Sequence, residues 1–199
     1  MKKVFFIFIL FSLMAYVSFA QTESSENPFK GKNTLTVGFN GLVLPQSDFE
    51  SGELSGYAGL SLSLEHAVGS HFAYALNANT GTGPTYDYDA TLIPIYRTRI
   101  VTVGPEFRAY TQARQRGFYM GLGLNYVQQH VLISKLANTD KNLDLIQGGL
   151  NLNLSLGFQS QITPNLYTRF HTGLGIMKVG NYEYGNLVIP INLGIGYRF

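Results

Sequence analysis

Residues 187–199 read Leu187-Val-Ile-Pro-Ile-Asn-Leu-Gly-Ile-Gly-Tyr-Arg-Phe199, and every second residue back from Phe199 is apolar: Tyr197, Ile195, Leu193, Ile191, Ile189 and Leu187. The residues between them are small, polar or neutral, apart from Arg198. Strict period-two alternation over this length specifies a β-strand with one oily face. Water offers nothing to an aromatic held out at the end of such a face. Lipid does, because aromatic rings settle at a membrane interface.

The same pattern recurs upstream. Alternating segments span 32–44, 56–67, 71–80, 99–110, 118–128, 146–160 and 166–179, which with 187–199 makes eight. Each is near or above the ~9–11 residues that cross a bilayer as a tilted strand. An even number of antiparallel strands closes on itself, and lipid tolerates no unpaired edge. The fold class expected is therefore all-β: an eight-stranded antiparallel transmembrane up-and-down β-barrel. Its connections alternate in length. Those at 45–55, 81–98, 129–145 and 180–186 are long or fairly long, and those at 68–70, 111–117 and 161–165 are short. Short periplasmic turns and long outer loops are the rule for such barrels, which puts both termini on the periplasmic side. Residues 91–98 show no clean alternation; they either lengthen the fourth strand or form a structured loop.

Ahead of the barrel, Lys2 and Lys3 precede an apolar run from Val4 to Val17, and Ser18-Phe19-Ala20 has a small-x-small cleavage pattern. This is the form of a signal peptide over 1–20, with a flexible periplasmic segment at 21–31 and the barrel at 32–199. The formal charge of +2 comes from 14 bases and 12 acids, so removing Lys2 and Lys3 leaves a neutral chain. No basic patch points to nucleic acid. Without Cys there is neither a disulfide nor a thiol for lipid attachment. Charged residues make up 13% of the chain, against about 25% in an average soluble domain, while 22 Gly and 27 aromatics (13 Tyr, 14 Phe) suit a surface facing lipid.

A soluble barrel with its oily faces turned inward would alternate in the same way. The second face separates the two. It carries Ser61, Ser63, Asn77, Asn79, Gly121, Gly123, Asn125, Asn151, Asn153, Ser155, Gly173 and Gly194. Few of its residues are charged, where a soluble surface holds about 25–35%. Small polar residues suit the narrow interior of an eight-stranded barrel. Register is fixed by cost in the fourth segment. Slipping it by one residue would point Glu106 and Arg108 at lipid, where a basic residue near the midplane costs roughly 2–4 kcal/mol. Pro105 and Pro190 each remove a ladder donor, so bulges or weak pairing are expected at both.

The inward charges are Glu65, Glu106, Arg108, Arg169 and Arg198, with His171 beside them. Chain direction gathers them in the periplasmic half of the lumen, together with Tyr110, Tyr119 and Tyr167. The outer half reads as Asn-, Gly- and Ser-rich and neutral. Buried carboxylates and guanidiniums satisfy one another, so a salt-bridged plug is the leading reading. A selective pore is the alternative. A catalytic His171 is the least favoured, and no catalytic residue is assigned. The inward glycine pairs do not continue as a phosphate loop and open no helix. There is no Cys/His cluster for a metal, and no cofactor is expected. An enzyme that edits lipid A would need His, Ser and an acid converging at the outer rim or on the lipid face, and no His or Ser stands mid-membrane on the oily face.

The leader, the eight strands, the Gly104-Pro105-Glu106-Phe107-Arg108 segment and the terminal Gly194-Ile-Gly-Tyr-Arg-Phe199 together resemble the small outer-membrane β-barrel family, the porin-like or OmpA/OmpX-type domain of Gram-negative bacteria, with a Bacteroidota flavour. The resemblance implies residence in the outer membrane among lipopolysaccharide and phospholipid, with a monomer favoured. It also implies assembly by the barrel-insertion machinery, which recognises a last strand such as the one bearing Leu193, Ile195, Tyr197 and Phe199. A structural or surface-contact role through the outer loops is then expected. A narrow channel for small or apolar solutes and a lipid A-modifying enzyme are the alternatives.

Overall fold

A computed structural model describes residues 32–45, 54–85, 95–134, 143–180 and 186–199. The expected leader 1–20, the segment 21–31 and the tips of the four long loops lie outside the described residues. Eight strands follow in chain order: β1 Asn33–Pro45, β2 Leu54–Ala67, β3 Phe72–Thr85, β4 Ile95–Gln112, β5 Arg116–Ser134, β6 Leu143–Gln161, β7 Leu166–Val179 and β8 Asn186–Arg198. Each pairs antiparallel with the next, and β8 returns to β1 from Thr34↔Arg198 to Val43↔Ile189, closing the barrel.

The exterior is apolar and the interior polar. On β6, Leu150, Leu152, Leu154 and Leu156 are each more than half exposed, while the alternating Asn151, Asn153 and Ser155 are buried. Phe39 on β1 is 72% exposed. Such an exterior is at rest only where lipid replaces water. Near the periplasmic end the outer surface becomes aromatic: Phe72 stacks on Phe107 with centroids 5.8 Å apart, and Phe118 meets Phe158 at 5.0 Å. This is the girdle position of the class.

The strands run further outward than their alternation indicates. Residues 81–85, 95–98, 129–134 and 143–145, read as connections from sequence, continue the ladders. Of the irregular stretch 91–98, residues 95–98 lengthen β4. Beyond the bilayer, lipid no longer demands an oily face, so the ladder persists after the pattern stops. Both prolines weaken pairing without a bulge. The β4–β5 ladder skips from Val103↔Tyr126 to Glu106↔Gly123, and the β7–β8 ladder from Thr172↔Ile191 to Gly175↔Val188, with register unchanged on either side. Each proline keeps its other neighbour, Pro105 beside Leu76 and Pro190 beside Leu42.

Placing a charge on the lipid face tests this orientation. Leu152→Arg lowers unfolding stability in lipid vesicles by about 2–4 kcal/mol, whereas Ser160→Arg, near the periplasmic end of the same face, costs about 0–1 kcal/mol. Equal effects in urea titrations would contradict the assignment.

Candidate functional site in the lumen

Eight strands leave an interior that side chains can fill, so each level of the lumen is decided by which strands contribute large residues. At the charged level β3 contributes Ala73 and Ala75, both buried, with the larger Asn77 next above them. Ala75 stands between Glu65 on β2 and Glu106 on β4, and Ala73 pairs with Arg108. Over these small residues, Arg108 reaches across β3 to Glu65. Glycines give room in the same way elsewhere. A Cβ on Gly121 would collide with Glu106 Oε1 and Ser155 Oγ, and one on Gly157 would collide with the Tyr119 ring.

Glu65 Oε2 accepts from Arg108 Nη1, Arg169 Nη2 and the Tyr110 hydroxyl, each at 2.7 Å. Glu106 Oε2 accepts from Arg108 Nη2 at 2.7 Å and from Asn77 Nδ2 at 2.6 Å, while its Oε1 accepts from Ser155 Oγ. Arg169 Nε donates to Gln159 Oε1 at 2.8 Å. Tyr119 packs against Tyr110 in a tilted contact at 4.9 Å, lies beneath Arg108 at 5.4 Å, and shares a 2.9 Å hydrogen bond with His171 Nδ1. Two carboxylates and two guanidiniums thus cancel in a fully buried network. Breaking such a network strands a charge and costs about 3–5 kcal/mol.

Of the candidate residues, the structure brings Glu65, Glu106, Arg108, Arg169, Tyr110, Tyr119 and His171 into one cluster. Tyr167 and Arg198 form a separate pair below it. Arg198 lies 4.3 Å over the Tyr167 ring and donates to Thr34 Oγ1 and the Arg114 carbonyl, both at 3.0 Å. Its partners are neutral oxygens, where the sequence suggested the acids. The reason is the β4–β5 turn, which tucks beneath the lumen and offers the nearer acceptor. Gln115 in that turn is fully buried, donates to the Gly69 carbonyl, and accepts on its own carbonyl from Gln159 Nε2 at 2.7 Å. Sequence reading placed 111–117 as a short connection and gave Gln115 no part in the lumen. The positive φ angles of Arg114 (68°) and Gln115 (50°) that shape it carry no glycine signature.

Above the charges lies a cavity of about 60 Å³, walled largely by amides, among them Asn40, Asn79, Asn125, Asn151, Asn153 and Asn192. The polar layer ends there. At the outer end Leu42, Tyr57, Ile100, Val127, Met177, Val179 and Val188 point inward and pack together, none more than 6% exposed. This corrects the expectation of a neutral Asn, Gly and Ser outer half: that composition describes the middle, and an apolar collar lines the outer end. The only signal was an apolar residue on the second face near several strand ends.

No family model matches the chain, and no curated protein matches it. Solved structures do. The attachment invasion locus protein Ail of Yersinia pestis, in complex with the heparin analogue sucrose octasulfate, superposes with a TM-score of 0.60 at 12% identity, covering 85% of this chain and 99% of that one. The outer membrane protein OprG of Pseudomonas aeruginosa gives 0.56 at 14% identity, covering 87% and 98%. Neisserial surface protein A gives 0.55 at 13%, covering 85% and 100%. At these identities the likeness is one of fold, and the fold is the eight-stranded barrel of small outer-membrane proteins.

The charged network makes a direct prediction. Arg108→Ala leaves Glu65 and Glu106 short of a partner and lowers stability by about 3–5 kcal/mol, seen as a depressed unfolding temperature in detergent. Lys178→Ala, exposed on the outer surface, leaves that temperature unchanged.

Proposed function

We propose that this protein is an integral outer-membrane barrel with a closed lumen, working through its outer loops in surface contact and membrane integrity. One observation carries the reading: the lumen is filled at both ends, by the ion-paired cluster over the tucked β4–β5 turn below and by the apolar collar above. Two barriers of opposite chemistry oppose the passage of both ions and apolar solutes. In this reading the leader 1–20 directs export and is removed, and the segment 21–31 stays in the periplasm. Leu193, Ile195, Tyr197 and Phe199, all more than half exposed on the outside, form the strand that the insertion machinery reads. Lipopolysaccharide and phospholipid cover the apolar band, and the barrel is monomeric.

Loop composition narrows the partner. The outer connections carry Asp48, Glu50, Glu53, Asp87, Asp89, Asp140, Asp144 and Glu183 against Arg97, Lys135 and Lys141. This excess of acid repels a sulfated polyanion of the kind bound in the Ail complex, and favours neutral or basic surfaces.

Two measurements test the proposal. Purified protein in a planar bilayer gives no stable unit conductance; a reproducible step would replace the closed lumen with the narrow-channel reading. Cells displaying the protein retain no more heparin than cells without it, and salt-sensitive retention would refute the acidic-face argument.

A further inference from the structure

Toward the outer ends of β4 to β7 the lipid-facing surface turns polar, and it does so with cations. Arg99 shares the outward face of β4 with Val101 and Val103, Lys178 shares that of β7 with Leu174 and Ile176, and both cations are exposed. His130 pairs with Arg99 across the β4–β5 ladder, and Gln128, exposed on the same face, pairs with Gly148 on β6. Directly paired residues on one face stand about 4.5–5.5 Å apart at Cβ, so Arg99 and His130 act at one spot.

Register brings Lys178 up toward the same level. The row Val103, Tyr126, Leu150 and Lys178 crosses four tilted strands. Val103 lies well below the outer end of β4 at Ile95, whereas Lys178 stands next to the outer end of β7 at Val179, so the row climbs. Between the two cations the Tyr126 ring leans over Gly148, where a Cβ would stand 2.6 Å from the Tyr126 hydroxyl. A polar belt thus follows the lipid boundary. Three strand spacings of about 4.8 Å make it roughly 14 Å wide. Its charge is not cancelled in place. The carboxylates whose side chains are described, Glu65 and Glu106, are buried in the lumen. The next acid outward along these strands, Asp144, lies two residues beyond Ile146, the partner of His130.

We propose that this belt binds one outer-leaflet glycolipid bearing two phosphates, one held by Arg99 and His130, the other by Lys178, with the sugar over Gln128 and Tyr126. The assignment rests on the outer-membrane residence proposed above. Spacing selects the partner: a single phosphodiester headgroup meets one cation, whereas a sugar headgroup with a phosphate at each end engages both. Long Arg and Lys stems cover apolar surface while their heads reach the headgroup layer. The acyl chains then lie on Leu150, Leu152, Leu174 and Ile176, each more than half exposed. A soluble polyanion arriving from above meets the acidic loops first, but a lipid presents its phosphates from the side, beneath them.

Native mass spectrometry of the refolded protein in neutral detergent, titrated with diphosphoryl lipid A, reads the site. One molecule binds per barrel. Monophosphoryl lipid A binds about tenfold more weakly, phosphatidylglycerol more weakly still, and inorganic phosphate displaces neither. Arg99→Gln and Lys178→Gln each weaken diphosphoryl lipid A by about tenfold and erase its advantage over the monophosphoryl form, with the unfolding temperature in detergent unchanged. Lys32→Gln, at the opposite end of the barrel, alters nothing. Equal affinity for the diphosphoryl and fully dephosphorylated lipids would overturn the proposal, as would unchanged affinity in the double variant or phosphatidylglycerol binding as tightly as lipid A. Flotation with vesicles tests the residence separately: a protein that enters no vesicle of any composition refutes that reading, and the site with it, whereas one that inserts without phosphate preference refutes the site alone.

Discussion

In hydrocarbon an unpaired backbone N–H or C=O has no water to turn to, so the sheet must close on itself. That constraint governs everything inside. With eight strands, closure leaves a bore narrow enough to be filled by side chains, and the second face of every strand must fit within it. A large residue on one strand therefore requires a small one beside it. Ala73 and Ala75 on β3 let Glu65 and Arg108 meet across them, and Gly157 on β6 makes room for the Tyr119 ring. The charges pair because closure brings them together out of water, where an unpaired charge is not sustained.

The lumen is layered by interaction type. Ion pairs and charge-assisted hydrogen bonds, strong and directional, occupy the periplasmic end. Amides hold the middle. Apolar contacts, weak singly and without direction, hold the outer end. Directional bonding thus falls off from the end that carries the chain termini toward the other. The two prolines agree with this gradient: Pro105 interrupts pairing beside the charged cluster, where side-chain bonds compensate, and Pro190 interrupts it beside the collar, where they do not.

Much of this was written in the alternation. The oily face of residues 187–199, repeated upstream, specified strands, their number and their outward side, and the cost of exposing Arg108 to lipid fixed the register of β4. Chain direction alone placed Glu65, Glu106, Arg108 and Arg169 at one level. The pairing among them was not legible, because it depends on which intervening residues are small enough to reach over and on the register between strands far apart in sequence. Arg198 shows the limit most clearly. Its level was readable, but its partner is the carbonyl of Arg114, a backbone atom brought near by a turn in which Arg114 and Gln115 take positive φ angles without being glycine. The collar was missed for a related reason: Leu42, Ile100 and Val188 lie on the face read as polar, near strand ends where the alternation loses its meaning.

Arg198 also ties together parts of the chain that are made at different times. It sits on the last strand, donates to Thr34 on the first, and holds the carbonyl of the turn between the fourth and fifth. The bond to Thr34 forms only when β8 docks against β1, whereas the turn beneath the lumen is already held by Gln115 and Gln159 from elements between them. The event that removes the last free sheet edge therefore adds the final tie to a floor laid by the middle of the chain.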